Sequence, residues 1–274
     1  MVALVPSRTI ALQIFHFSVH WYGIMYLLAA ILGIILLPHL QRARGLTLTR
    51  DEWLSVVSWG VIGVIVGGRF GYVLFYEPMY FAVHPSEIIA IWNGGMSSHG
   101  GFIGVTASLL LFGFFKKIDV RKLADVVVVP VALGLALGRF GNFINQELYG
   151  TVTTLPWGIV IPGVEGFRHP TQLYAVAKDL FIALVCLGHL QLRPAVPGRT
   201  FALFLMLYGV LRFLLEYLRE QPYPLINLGL VTLSRGQLLT LPIFIMGALL
   251  WIWLKPPSSN EPVSFVKFLK KLRR

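Results

Sequence analysis

Seven stretches of about twenty mostly apolar residues, separated by short polar connections, dominate this chain and dictate what it can become. A helix needs roughly 20 such residues to cross the ~30 Å hydrocarbon core of a bilayer. Inside that core every backbone N–H and C=O must be satisfied within the protein, which leaves closed barrels and helices as the only spanning structures. Runs such as Ile24 to Leu37, Val126 to Leu137 and Leu238 to Leu254 are continuous rather than alternating, and they select helices. Extended to their polar flanks, the runs predict spans near 16–38, 53–76, 96–115, 123–145, 172–190, 200–218 and 237–254. The expected fold is an all-α integral membrane protein of about seven transmembrane helices, with a small irregular loop region on the outer side.

Charge orients this array. The chain carries 23 Lys and Arg against 12 Asp and Glu, and fifteen of the basic residues fall on alternate connections. Arg42, Arg44 and Arg50 follow the first span; Lys116, Lys117, Arg121 and Lys122 follow the third; Arg193 and Arg199 follow the fifth; the rest lie beyond the seventh. The positive-inside rule then places the N-terminus outside and the C-terminus in the cytoplasm. So distributed, the excess charge suits anionic headgroups rather than nucleic acid. Residues 1–255 read as a single polytopic membrane domain and 256–274 as a basic cytoplasmic tail, in which Phe265 to Leu272 can form an interfacial helix. The first apolar run continues as a full span, which predicts retention rather than cleavage as a signal peptide. The single cysteine, Cys186, lies within an apolar run and reads as packing.

Ionisable groups inside spans are costly and mark function or paired structure. Arg69, Asp125, Arg139, Lys178, Asp179, Arg212 and Glu216 fall within the spans, and His99 near the start of one. At 1.5 Å per residue, Arg69, Arg139 and Glu216 lie about 24 Å above the inner surface and Arg212 about 18 Å. With His99 they gather in the outer half. Asp125 alone is near the inner surface, where it can face water or help start its own helix. A positive cluster in a low dielectric suits a phosphodiester, because guanidinium groups grip phosphate oxygens bidentately and stay charged when buried. The competing reading pairs each arginine with Glu147 or Glu216 to fasten helices, and Arg69 suits it best. Arg139, Asn142 and Gln146 would share one helical face broadened by Asn145, and Tyr208, Arg212 and Glu216 another. His99, flanked by glycines, can act as a general base or orient a neighbour. No metal-ligand spacing occurs, and no cofactor is expected. A channel or transporter would need polar residues through both halves, and a plain scaffold would need no positive cluster.

Five segments carry a resemblance. His16-Phe17-Ser18-Val19-His20-Trp21-Tyr22-Gly23, Trp92 to Gly104, Gly138 to Gly150, His169-Pro170-Thr171-Gln172-Leu173-Tyr174 and Tyr208 to Glu216 occur in one order. Together they resemble the bacterial prolipoprotein diacylglyceryl transferases, from about residue 16 to 247. The resemblance implies transfer of a diacylglyceryl group from phosphatidylglycerol to the lipobox cysteine of an exported preprolipoprotein carrying its signal peptide. A thioether forms and glycerol phosphate leaves, in the bacterial inner membrane and toward its outer leaflet, among membrane lipids and without nucleic acid. It makes Arg139 and Arg212 phosphate ligands; since a thiol must lose its proton to attack, His99 or Glu147 is expected to help take it. Asn142, Asn145, Gly150, Tyr22, Tyr208 and Glu216 become substrate-binding or supporting residues. Three positions depart from the family's pattern: Gln146 where glycine is common, Tyr149 where tryptophan is frequent, and Arg235 where methionine is usual.

Overall fold

A computed structural model describes residues 9–254, except 15–16, 193–195, 222–223, 228 and 230; the side chains of residues 12, 14, 17, 18, 93, 98 and 99 are also not described. The tail 256–274 lies outside the described residues, as does His16. The seven expected spans correspond to α1 (Trp21–Leu40), α2 (Arg50–Phe75), α4 (Ser98–Lys116), α5 (Val120–Ile144), α6 (Thr171–Gln191), α7 (Arg199–Leu215) and α8 (Arg235–Trp253). Six of the described helices are long and apolar enough to cross a membrane, and Gly100–Lys116 is a shorter apolar helix. A short helix, α3 (Pro78–Val83), lies between α2 and α4. One boundary is corrected. The first span starts at Trp21 rather than residue 16, because Phe17–His20 (β2) pairs antiparallel with Ile10–Ile14 (β1). Short apolar runs fit a strand as well as a helix, so hydropathy alone could not place that start.

The described residues form two compact units, one within Leu27–Leu123 and one within Met1–Tyr26 and Ala124–Arg274. In the first, glycines let α2 and α4 meet backbone to backbone. A Cβ on Gly67 would lie 2.6 Å from the Gly104 Cα, and one on Gly71 would lie 2.7 Å from the Gly100 Cα. Small residues permit this approach, and close packing replaces the hydrophobic drive that lipid removes. Arg69 pins the segment beyond α3. Its guanidinium donates to the carbonyls of Glu87 (2.6 Å), Ile88 (2.8 Å), Gly94 (2.6 Å) and Gly95 (3.0 Å), and it lies 5.1 Å from the Phe81 ring centroid. The expectation that Arg69 binds phosphate or pairs with a carboxylate gives way to a third role, in which backbone oxygens neutralise it. At the foot of the unit, Arg121 bonds Asp119 and holds its carboxyl below the usual carboxylate range.

In the second unit, Asp125 also departs from expectation. It is fully buried on α5, and its carboxylate accepts from the backbone N–H of Gly198 and of Phe201, both at 2.9 Å. These are the N-cap and third helical residue of α7, whose N-cap is a glycine with no side chain to offer. Asp125 therefore caps a neighbouring helix instead of its own, satisfying donors that would otherwise be stranded. Gly209 on α7 packs against Phe244 of α8, and Gly247 of α8 against Ala202. Arg199 fastens the other end of α8 through a 2.8 Å bond to the Leu254 carbonyl and lies over Trp251.

Asp125→Ala is expected to destabilise the folded protein by about 1–3 kcal/mol, the usual range for a lost cap that leaves buried donors unmet. Asp125→Asn, which keeps an acceptor, is expected to lose less. Thermal melting of the purified protein in detergent checks both.

Candidate active site

The site grows from the last turn of α5. There Arg139 donates to the Asn142 Oδ1 at 3.4 Å, and the Asn142 amide N–H donates to the Tyr22 hydroxyl. Tyr22 lies at the start of α1, and the Glu147 carboxylate also meets its hydroxyl.

Helix α5 stops at Ile144, and its end explains Glu147. The Gln146 N–H donates to the Phe143 carbonyl and the Glu147 N–H to the Asn142 carbonyl, both at 3.1 Å. This pair of reversed bonds is the Schellman termination, which puts a left-handed residue just past the helix. Gln146 takes that position with φ 58°. It is therefore off the helix and does not extend the Arg139–Asn142 face as the sequence suggested. The glycine common at this position in the resembling family is what such a backbone favours. Leu148 is left-handed too, also at φ 58°. Thr171 and Gln172, opening α6, hold this tight turn by donating to the carbonyls of Leu148 (3.0 Å) and Glu147 (2.8 Å). Asn145 donates to the Glu147 Oε1 at 2.8 Å. Glu147 is thus folded back toward the end of its own helix.

A second strand of the site rises on α7. Arg212, in its last turn, forms an ion pair with Glu216, as the i, i+4 spacing predicts. Glu216 is only 4% exposed and begins the 3₁₀ turn that follows α7. Arg219 approaches the same carboxylate at 3.7 Å. Its Nε is buried without a hydrogen-bond partner among the described residues. Burial, then the positive charge of Arg212, push the Arg219 guanidinium below its ordinary pKa, and Arg139 adds to the push. Three arginines therefore share one electrostatic neighbourhood. One turn below Arg212, the Tyr208 ring stacks on Phe204 and receives the Lys178 ammonium 4.4 Å from its centroid. Lys178 pairs with Asp179 on α6, at 7% and 1% exposure, so the two are matched in place and do not snorkel.

The loop between α5 and α6 forms short strands, Ile159–Val160 (β3) against Phe167–Arg168 (β4). Around them three segments are knitted by backbone bonds: Gly150 N–H to the His169 carbonyl (2.9 Å), Thr151 N–H to the Leu218 carbonyl (3.0 Å), and an antiparallel bridge from Gly150 to Arg219. Gly150 serves close approach, since a Cβ there would lie 2.6 Å from both the His169 Cβ and the Leu218 carbonyl oxygen. Beyond this knit, Ile226–Asn227 (β5) pairs with Thr232–Leu233 (β6) and leads into α8.

Against this geometry, the family model of prolipoprotein diacylglyceryl transferase matches residues 9–253. The chain belongs to this family. A phosphatidylglycerol–prolipoprotein diacylglyceryl transferase of Geobacter sulfurreducens is 44% identical over 238 residues, covering 85% of this chain and 89% of the relative. One of Bordetella avium is 40% identical over 256 residues, covering 92% and 97%. The protein is accordingly a multi-pass membrane transferase.

Within the second unit the structure bonds Tyr22, Arg139 and Asn142 to one another, Asn145 to Glu147, and Arg212 to Glu216, while Gly150 bridges to Arg219 beside that pair and Tyr208 lies one turn below Arg212; all but Arg219 were named from the sequence. His99 sits in the first turn of α4 in the other unit, and its side chain lies outside the described residues. Arg219 went unrecognised in the sequence because it stands just past the predicted span and looked like a flanking charge. Its spacing of three from Glu216 was the available signal.

Gln146→Gly is expected to raise stability by about 1 kcal/mol, since it removes the left-handed penalty of a residue with a Cβ. Melting of the purified variant checks the sign; a loss of stability would contradict the assigned turn.

Proposed function

We propose that this transferase moves the diacylglyceryl group of phosphatidylglycerol onto the lipobox cysteine thiol of an exported preprolipoprotein, with its signal peptide still attached. Family membership and the printed names of the relatives support the reaction. The observation that carries the role of the site is the pairing of two arginines, Arg212 and Arg219, with one buried carboxylate, the Arg219 Nε–H having no hydrogen-bond partner among the described residues.

In the proposed step the cysteine sulfur bonds to the glyceryl carbon while that carbon's bond to the phosphate oxygen breaks. The electron pair leaves with glycerol phosphate, and the thiol proton passes to a base. A thiol is a poor nucleophile until deprotonated, so the base sets the fraction of attacking thiolate. Charge grows on the departing phosphate, and fixed guanidinium groups in a water-poor site stabilise it without having to reorganise. Arg139 and Arg212 are the ligands in this reading. Asn142, bonded to both Arg139 and Tyr22, holds the first arginine, and Glu216 holds the second. Glu147 and His99 remain the two candidates for the base.

The alternating basic connections support an outer N-terminus and a cytoplasmic C-terminus. That topology puts the arginines in the outer half of a bacterial inner membrane, where an exported cysteine can reach them.

Arg139→Ala and Arg212→Ala are each expected to lower transfer by about 100–1,000-fold, the scale for removing one preorganised partner of a developing anion. The assay combines purified protein, labelled phosphatidylglycerol and a lipobox peptide carrying either Cys or Ser. Label should reach the Cys peptide alone, with glycerol phosphate released. Full activity in either variant would show that the phosphate is held elsewhere.

A further inference from the structure

Glu216 holds Arg212, and something must hold Glu216. Its carboxylate lies on the first turn of α8, a helix whose N-cap, Ser234, accepts from the Gln237 N–H while Gln237 accepts from the Ser234 N–H. This reciprocal box starts α8 firmly without any help from Gly236. Gly236 nevertheless has one close neighbour. The nearest atom to a Cβ built there would be the Glu216 Oε1, with the carboxyl carbon at 2.7 Å and Oε2 at 3.1 Å.

Glycine is a poor helix former, and this position does not need its backbone freedom, because Gly236 is absent from the residues with positive φ. Alanine would favour the helix. What glycine permits is the seating of a carboxylate against the backbone at the positive end of α8. Gln221 closes the seat from another side, its amide donating to the Glu216 Oε1 at 3.3 Å and to the Glu216 carbonyl at 3.1 Å.

We propose that Gly236 is a positioning residue for the transfer reaction: by leaving room for the Glu216 carboxylate on the first turn of α8, it fixes the direction of the Arg212 guanidinium. The inference rests on the reading of Arg212 as a phosphate ligand. A methyl at 236 would push the carboxylate aside by about 1 Å to restore ordinary contact distances. Arg212 is paired to that carboxylate and follows it.

The test uses the full-length protein and two readouts. Gly236→Ala is expected to lower the transfer rate roughly 10–100-fold, as a misplacement of about 1 Å at a reacting group does. Glu216→Asp shortens the side chain by one bond, about 1.5 Å. It is expected to lower transfer in the native background and to raise it in the Gly236→Ala background, where it vacates the space the methyl needs. A merely structural glycine would not produce that reversal. If Glu216→Asp changed both backgrounds by the same factor, or if Gly236→Ala kept full activity, the proposal would be wrong.

Thermal melting reads the contact without reference to activity. Gly236→Ala should lower the melting temperature when Glu216 is present and raise it in the Glu216→Ala background. Should Gly236→Ala alone fail to fold, the Glu216→Ala/Gly236→Ala pair should still fold and melt above Glu216→Ala. A pair that also failed to fold would overturn the proposal. Absence of transfer by the native protein would count against the proposed reaction, while the melting cycle would still decide whether Gly236 seats Glu216.

Discussion

A charge inside a membrane protein must be neutralised by groups the protein itself brings, and this requirement organises the structure. Arg69 meets it with four backbone carbonyls. Asp125 meets it with the N–H groups that open α7. Lys178 and Asp179 meet it with each other beneath the Tyr208 ring. Each solution also fastens one piece of chain to another, so electrostatic matching doubles as architecture.

The ends of α5 and α7 are matched differently. Arg212 and Arg219 share the single carboxylate of Glu216, and Arg139 has a long bond to an amide oxygen. Among the described residues positive charge is left in surplus, with a buried Arg219 donor that has no partner there. Surplus positive charge in a low dielectric is costly to maintain and well suited to a phosphate. The turn at 146–148, with two left-handed residues that are not glycine, folds Glu147 back onto Asn145 at the end of α5. Strained backbone persists where surrounding bonds over-determine it, and Thr171 and Gln172 supply those bonds.

Much of this was legible in the sequence, and the exceptions share a cause. Apolar runs located seven helices, and the spacing of Arg212 and Glu216 foretold their pair. Periodicity reports which residues share a helix face, and it says nothing about where a helix stops or what lies beside it. Gln146 was therefore placed on a helix that ends two residues earlier. Asp125 was expected to serve water or its own helix and caps a different one. Arg69 resembled Arg139 in its local motif, Gly-Arg-Phe-Gly, yet spends its donors on a loop. The role of Gly236 depends on a side chain twenty residues earlier, a relation no local pattern contains.

In the proposed reaction Arg139 and Arg212 together hold the phosphate. Calorimetric titration of glycerol phosphate into the purified protein tests it without requiring turnover. Saturable binding that weakens with salt and is lost in both Arg139→Gln and Arg212→Gln is the predicted result. Binding that persists in both variants, or no binding to the native protein, would show that these arginines do not hold the phosphate.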